Sequence, residues 1–312
     1  MLKSTIIIPT YHRPKELTDC LRSILNQTVL PDEVIVVDDS ELPLPPLQNE
    51  LESFHINYIF TRKKIPGLTE SRNKGIALSS GDIIFFLDDD VVLAPDFLKA
   101  QLAVYEADPE KHILGVCGLI TNEQHRGLKN RLRTLSEALF MVSGIREGRV
   151  LRSGFSADFG RCWMPSEQEF EVDFLPGGAT SYRRSIFKRF MFTDQYNDIG
   201  LGEDKDFSYQ VAQEGRLIFT KNSCCEHFSA PSMRANKRRE GYMFIVGRYL
   251  FFKRFFSEKP LNWFFFWYAV SGYVLLRVFG VLTFPNQSKL ARLKGVLEGI
   301  IAFIKGDVQV PY

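Results

Sequence analysis

The sequence predicts an α/β protein with a Rossmann-like, mostly parallel central sheet, and three stretches carry that prediction. Ile6-Ile7-Ile8, Val34-Ile35-Val36-Val37 and Ile83-Ile84-Phe85-Phe86-Leu87 are continuous apolar runs of strand length, the pattern of strands covered on both faces. The first ends in Pro9, the second in Asp38-Asp39-Ser40 and the third in Asp88-Asp89-Asp90. Two successive strands joined through a helix, with acids at the same end, indicate a parallel sheet whose C-terminal edge gathers the polar residues. Ligands bind at that edge in open α/β sheets.

In chain order, Thr10-Tyr11-His12-Arg13 is a loop, and Pro14 suits the first turn of a helix. Leu17, Cys20, Leu21, Ile24 and Leu25 then fall on one apolar stripe. No GxGxxG joins the first strand to this helix, which disfavours a dinucleotide cofactor. A proline-rich turn over 42–46 and a helical patch precede a third strand at 56–60. A short helix led by Gly67-Leu68-Thr69 follows, with Thr69 as its cap and with Arg72 and Lys74 available to an anion at the sheet edge. Three adjacent carboxylates after the central strand repel one another, so a hard cation such as Mn²⁺ or Mg²⁺ carrying a diphosphate is the expected guest. An acidic turn solvated at a strand end is the plainer alternative.

Further on, 113–120 reads as a strand and 128–142 as a helix. Residues 150–164, rich in Gly, Ser and aromatics, suit either a mobile loop over a site or an ordinary surface insertion. Gly177-Gly178 permits close backbone approach to a ligand, and 185–190 favours helix. Gly200-Leu201-Gly202-Glu203-Asp204-Lys205-Asp206 opens a helix that turns Phe207 and Val211 inward. A carboxylate there either caps the helix or serves as a general base, and Asp206 suits the first-turn dipole. A short strand at 217–220 precedes Cys224-Cys225-Glu226-His227. The cysteines read as packing residues, and His227 as either structural or a metal ligand.

From Met233 the composition changes. Arg234, Lys237, Arg238 and Arg239 lead an aromatic, basic helix at 242–256, and 261–284 carries one formal charge, Arg277. Such a stretch is long enough to cross a bilayer, which takes about 20 residues. Basic residues on both sides give no orientation. A break near Ser271-Gly272 would make a re-entrant or in-plane helical pair, so membrane association without crossing is expected, ahead of a buried hairpin in a soluble protein.

Composition limits the alternatives. With 312 residues, 45% hydrophobic, and a net charge of +2, the chain supports one large core or two smaller ones and does not read as a nucleic-acid binder. Five cysteines without CxxC spacing fit a reducing compartment and argue against zinc. The first strand starts so early that no signal peptide is expected.

Four motifs together resemble the nucleotide-binding half of family 2 glycosyltransferases with the GT-A fold: Ile6-Ile7-Ile8-Pro9-Thr10-Tyr11-His12-Arg13, Val36-Val37-Asp38-Asp39-Ser40, Arg72-Asn73-Lys74-Gly75 and Leu87-Asp88-Asp89-Asp90. Each is common alone; four in this order are specific. His12 departs from the family's usual asparagine at a position peripheral to the chemistry. The resemblance implies a nucleoside diphosphate sugar donor, of UDP or dTDP type. It would be held by Pro9, Thr10, Tyr11, Arg13, Asp39, Arg72, Asn73, Asp88 and Asp89, with Asp39 on the base. Asp88 and Asp90 would form the DxD pair, Asp90 as direct metal ligand, and His227 would complete the metal site. Glu203-Asp204 matches the family's ED motif, with Asp204 as base and Glu203 orienting an acceptor that also meets Gly177 and Gly178.

The resulting expectation is an inverting, metal-dependent, non-processive glycosyltransferase at the cytoplasmic face of the membrane. Its acceptor would be a saccharide, lipid-linked, in cell-surface polysaccharide or glycolipid synthesis. No covalent glycosyl-enzyme is expected, and the QxxRW motif of processive members is absent. Residues 1–232 would form the GT-A domain, with 1–120 for the nucleotide-sugar and 121–232 for the acceptor, and 233–312 the membrane-associated region. Two alternatives come from other classes. A sugar nucleotidyltransferase would need a glycine-rich basic loop after the first strand, and an inactive membrane scaffold or carbohydrate-binding subunit would not need both acidic centres.

Overall fold

The computed structural model describes residues 2–40, 46–123, 128–159, 167–196, 201–228 and 236–308. Most of the 42–46 turn, the end of the 150–164 loop, Gly200 and Arg234 therefore lie outside the described residues.

The chain forms two compact units that interleave along the sequence: 1–123, 167–194 and 204–230 in the first, and 124–166, 195–203 and 231–312 in the second. The stretch 121–232, read from sequence as one acceptor-binding half, is thus divided between them.

The first unit begins with β1 (Ser4–Thr10), α1 (Pro14–Leu25), β2 (Glu33–Asp38), α2 (Gln48–Ser53), β3 (Asn57–Arg62), α3 (Leu68–Leu78) and β4 (Ile83–Leu87). It continues through β5 (Val91–Leu93), α4 (Phe97–Glu106), β6 (Ile113–Ile120), β7 (Glu169–Val172), β8 (Ala179–Arg183), all but the first residue of α6 (Glu203–Ala212), and β9 (Arg216–His227). Among the described residues the sheet has nine strands in the order β3-β2-β1-β4-β8-β6-β9-β5, with β7 also on β9. The N-terminal half, β3-β2-β1-β4, is parallel throughout. Beyond it the sheet becomes mixed, because β8 enters antiparallel between β4 and β6.

The apolar runs became strands because both of their faces are covered. Ile6, Ile8, Val34, Val36 and Phe85 are fully buried, and α1 lays Leu17, Cys20, Leu21 and Ile24 onto them. Each such side chain contributes about 1.5–3 kcal/mol by leaving water. On the same sheet, α3 approaches β1 so closely that a Cβ at Gly75 would overlap Ile7. Stretch 185–190 makes only a short 3₁₀ turn, Arg184–Lys188, whereas the strand expected at 217–220 runs on as far as His227.

The second unit contains α5 (Leu128–Leu139), α7 (Lys237–Phe255), α8 (Pro260–Thr283) and α9 (Gln287–Lys305). Phe252 packs between Trp263 and Phe266, and Tyr249 stacks on Phe303. Side chains at Gly295 and Gly299 would strike α7, so α7 and α9 pack at close range. The expected break at Ser271-Gly272 does not occur, and α8 runs unbroken for 24 residues. Gly272 is needed there for contact rather than flexibility, since a Cβ would overlap the Phe140 ring.

Candidate active site

The strand ends converge on Asp88, Asp89 and Asp90. β4 stops at Leu87, and β5 restarts one residue after Asp90 to pair antiparallel with the end of β9, setting Val91 opposite His227. That register carries His227 to the acids: its Nε2 lies 3.1 Å from Asp90 Oδ1 and 3.9 Å from Asp88 Oδ2. One atom from each of Asp88, Asp90 and His227 falls within 4.8 Å of the others. Asn122, which sequence reasoning missed, holds the strand end in place. Its Oδ1 accepts from His227 N at 3.0 Å and its Nδ2 donates to His227 O at 2.9 Å. Two hard carboxylates with one imidazole form a donor set that fits Mn²⁺ or Mg²⁺.

Asp89 faces elsewhere. It accepts from Thr10 Oγ1 at 2.7 Å and from Arg13 Nη1 at 2.9 Å, and Arg13 also reaches Asp90 Oδ2 at 3.1 Å. Burial pushes the Asp89 carboxyl up to about 6, although Thr10 and Arg13 both pull it down. In the structure Thr10, Arg13 and Asp89 therefore tie the end of β1 to the acidic turn. Pro9 is buried within β1, and Tyr11 is half-exposed, its ring against His12.

At the end of β2, Asp39 accepts from Gly67 N at 2.8 Å and from Ser71 Oγ at 2.6 Å. The acid thereby fixes the first turn of α3, whose next residue is Arg72. This guanidinium is almost wholly buried, hydrogen-bonds Asp204, and lies 3.5 Å from Asp88. Phe192 covers it, with the ring centroid at 5.2 Å. Arg72 thus joins two acidic centres that lie far apart in sequence.

Asp204 stands in the first turn of α6, which Ser208 anchors by accepting from Leu175 N at 3.0 Å. The segment after Leu175 is equally constrained. A side chain at Gly177 would overlap the Asp204 carboxylate, and one at Gly178, where φ is +80°, would overlap Asp88. The two glycines admit those carboxylates to the sheet edge. Asp206 is fully buried and accepts from Gln210 Nε2 at 2.9 Å; Glu203 is buried at the start of α6.

Two expected anion contacts are placed differently. Asn73 spends its amide on the Phe192 backbone, donating to O at 2.8 Å and accepting from N at 3.0 Å. Lys74 donates to Arg62 O at 2.6 Å. Successive helical residues are about 100° apart, so neighbours of a buried Arg72 turn away from what it faces. Among the described residues the cysteines are free, with Cys225 buried and Cys224 half-buried.

This geometry belongs to a chain with clear relatives. Residues 5–190 match the model of glycosyl transferase family 2. An uncharacterized glycosyltransferase, YwdF of Bacillus subtilis (strain 168), is 37% identical over 219 residues, covering 69% of this chain and 70% of that one. Chondroitin synthase of Escherichia coli is 23% identical over 75% of this chain, but only 35% of its own length is matched. For the Haloferax volcanii glucosyl-dolichyl phosphate glucuronosyltransferase, 29% identical, the shares are 36% and 37%, so the chain spans about a third of the length of these two curated relatives. Among solved structures, a mannosyltransferase from Pyrobaculum calidifontis in complex with GDP-Man and Mn²⁺ superimposes with a TM-score of 0.55 at 16% identity, covering 96% of this chain and 87% of that one. The last likeness is one of fold, the GT-A arrangement read from the sequence. The family model covers more than half of the chain, and the chain belongs to glycosyl transferase family 2.

Proposed function

We propose that the protein transfers a sugar from a nucleoside diphosphate sugar, of UDP or dTDP type, to a hydroxyl of a saccharide acceptor, inverting the anomeric centre. The observation that carries this reading is the union of two acidic groups through Arg72: Asp88 beside Asp90 and His227 on one side, and Asp204 on the other. Asp88, Asp90 and His227 would hold Mn²⁺ or Mg²⁺, which neutralises charge on the departing diphosphate. Asp204 takes the proton of the attacking hydroxyl, in the role of general base. Arg72 engages Oδ1 of Asp204, and the side-chain-free backbone of Gly177 lies beside Oδ2. Glu203 orients the acceptor, and Asp39 with the loop 9–13 forms the nucleotide side.

The acceptor is proposed to be lipid-linked, in cell-surface polysaccharide synthesis at the cytoplasmic face. An O-antigen chain rhamnosyltransferase of Salmonella typhimurium, 35% identical over 119 residues, supports the product class. Among the described residues one helix, α8, is long and apolar enough to cross a membrane, and only 28% of its most apolar stretch is buried, which supports membrane association.

A thermal-shift panel of UDP, dTDP, GDP and CMP and their sugars, each with and without Mn²⁺, tests the donor reading. Ligands that bind only the folded state raise its melting temperature. One nucleotide should stabilise the protein, and only with the metal. Indifference to every nucleotide, in folded protein with detergent present, would favour the inactive scaffold.

A further inference from the structure

We propose that α5 and α8 together form a face that lies in the plane of an anionic lipid bilayer, so that α8 rests on the membrane and does not cross it. The inference rests on the membrane-associated reading and assigns its residues and geometry. Along α8 the exposed large apolar side chains are Leu261, Phe264, Trp267, Tyr268, Leu275, Phe279 and Leu282; all but Trp267, whose ring also meets Phe303, follow one helical stripe over its whole length. Leu282 and Phe279 are 75% and 66% exposed, while Phe266, Ala269, Val270 and Tyr273 on the opposite side enter the core with α7 and α9. A spanning helix has its whole circumference available to lipid or to other spanning helices. This one has one face in protein and one uncovered.

A second helix continues the uncovered face. α5 exposes Leu132, Leu135 and Leu139 at helical spacing, and the exposed Arg131 and Arg133 flank the first of them. An exposed leucine stripe with arginines beside it marks a helix at a charged lipid surface. The two helices meet at the middle of α8, where Tyr268 Oη donates to Leu139 O at 3.0 Å and Gly272 receives the Phe140 ring. If α8 crossed a bilayer, its middle would sit about 15 Å below either surface. The C-terminal end of α5, with Glu137 and Arg133 paired at 3.3 Å, would be drawn in with it. Charges at that depth are costly. Laid flat, α8 extends about 36 Å at 1.5 Å per residue, and the exposed Lys253, Arg254 and Lys259 near its start and Lys289 and Lys294 beyond its end stay with the headgroups. That basic distribution selects an anionic bilayer over a neutral one.

The test uses the full chain with vesicles of phosphatidylcholine, with and without phosphatidylglycerol, in a flotation assay. Binding should require the anionic lipid, weaken as salt rises, and fall about tenfold for Leu135→Glu and for Phe279→Glu, both exposed and neither among the proposed site residues. Fluorescent labels at Leu261, Ser271 and Leu282, quenched by nitroxides carried at known depths on the lipid chains, should all report one shallow depth, about 5–10 Å. Maximal depth at Ser271 with shallow ends would overturn the flat orientation and leave membrane association intact. Absence of binding to any vesicle would remove both, and concentration-dependent dimerisation lost in Phe279→Glu would assign the face to a second copy.

Discussion

Arg72 has almost no contact with solvent, yet it faces Asp88 and Asp204 and is held by an α3 that Asp39 has already fixed. A guanidinium so placed sets the distance between the acid of the metal group and the acid proposed as base, and its planar fork suits two carboxylates better than an ammonium does. The two acids then make separable contributions. Asp204→Asn preserves size and the contact with Arg72 but removes the proton acceptor, so donor affinity should be unchanged and turnover should fall roughly 10²–10⁴-fold. Asp90→Ala removes an oxygen facing His227, and the Mn²⁺-dependent part of the thermal shift should disappear. Calorimetric donor titration beside a single-turnover assay measures both, and a fully active Asp204→Asn enzyme would reassign the base.

At the scale of elements, the short strand β5 decides where His227 goes. Its pairing with the end of β9 brings together residues more than a hundred positions apart, and Asn122 clamps that end through both backbone groups of His227. Asn122→Ala should weaken Mn²⁺ binding about 10–100-fold, the usual cost of losing a group that orients a ligand. Titration calorimetry reads the change, and in a His227→Ala background the same substitution should add little, since Asn122 acts through that residue. None of this clamp was legible in the sequence, where β5 is only Val91-Val92-Leu93 and Asn122 follows an ordinary apolar run. β1, β2 and β4 were legible because uninterrupted apolar residues stop abruptly at proline or acid. β8 was hidden by its hydroxyls: Thr180 and Ser181 look solvated, yet Ser181 Oγ lies buried and donates to Gln101 Oε1 at 2.6 Å. The acids at the sheet edge were readable from local pattern, whereas the pairing of Arg72 with Asp204 depends on a fold that closes 132 positions.

At the scale of the whole molecule, the two compact units carry different chemistry. The first holds the sheet, Asp39, Asp88, Asp90, Asp204 and Arg72, and the second holds the helices with uncovered apolar faces. The proposed ligands should accordingly protect different amides. Hydrogen exchange is governed by local opening, so a ligand slows it where its binding must be undone for the backbone to open. A nucleotide that shifts the melting temperature, given with Mn²⁺, should slow exchange at 67–72, at 88–91 and at the end of β9, the segments whose hydrogen bonds assemble the acidic site. Phosphatidylglycerol vesicles should instead slow exchange in α5 and α8, whose outer side chains are exposed. Mass-spectrometric exchange with each ligand separately distinguishes the outcomes. Protection of 88–91 by vesicles alone would place lipid at the acidic site and displace the nucleotide reading, while protection of α8 by nucleotide alone would remove that helix from the membrane and make it part of the donor site.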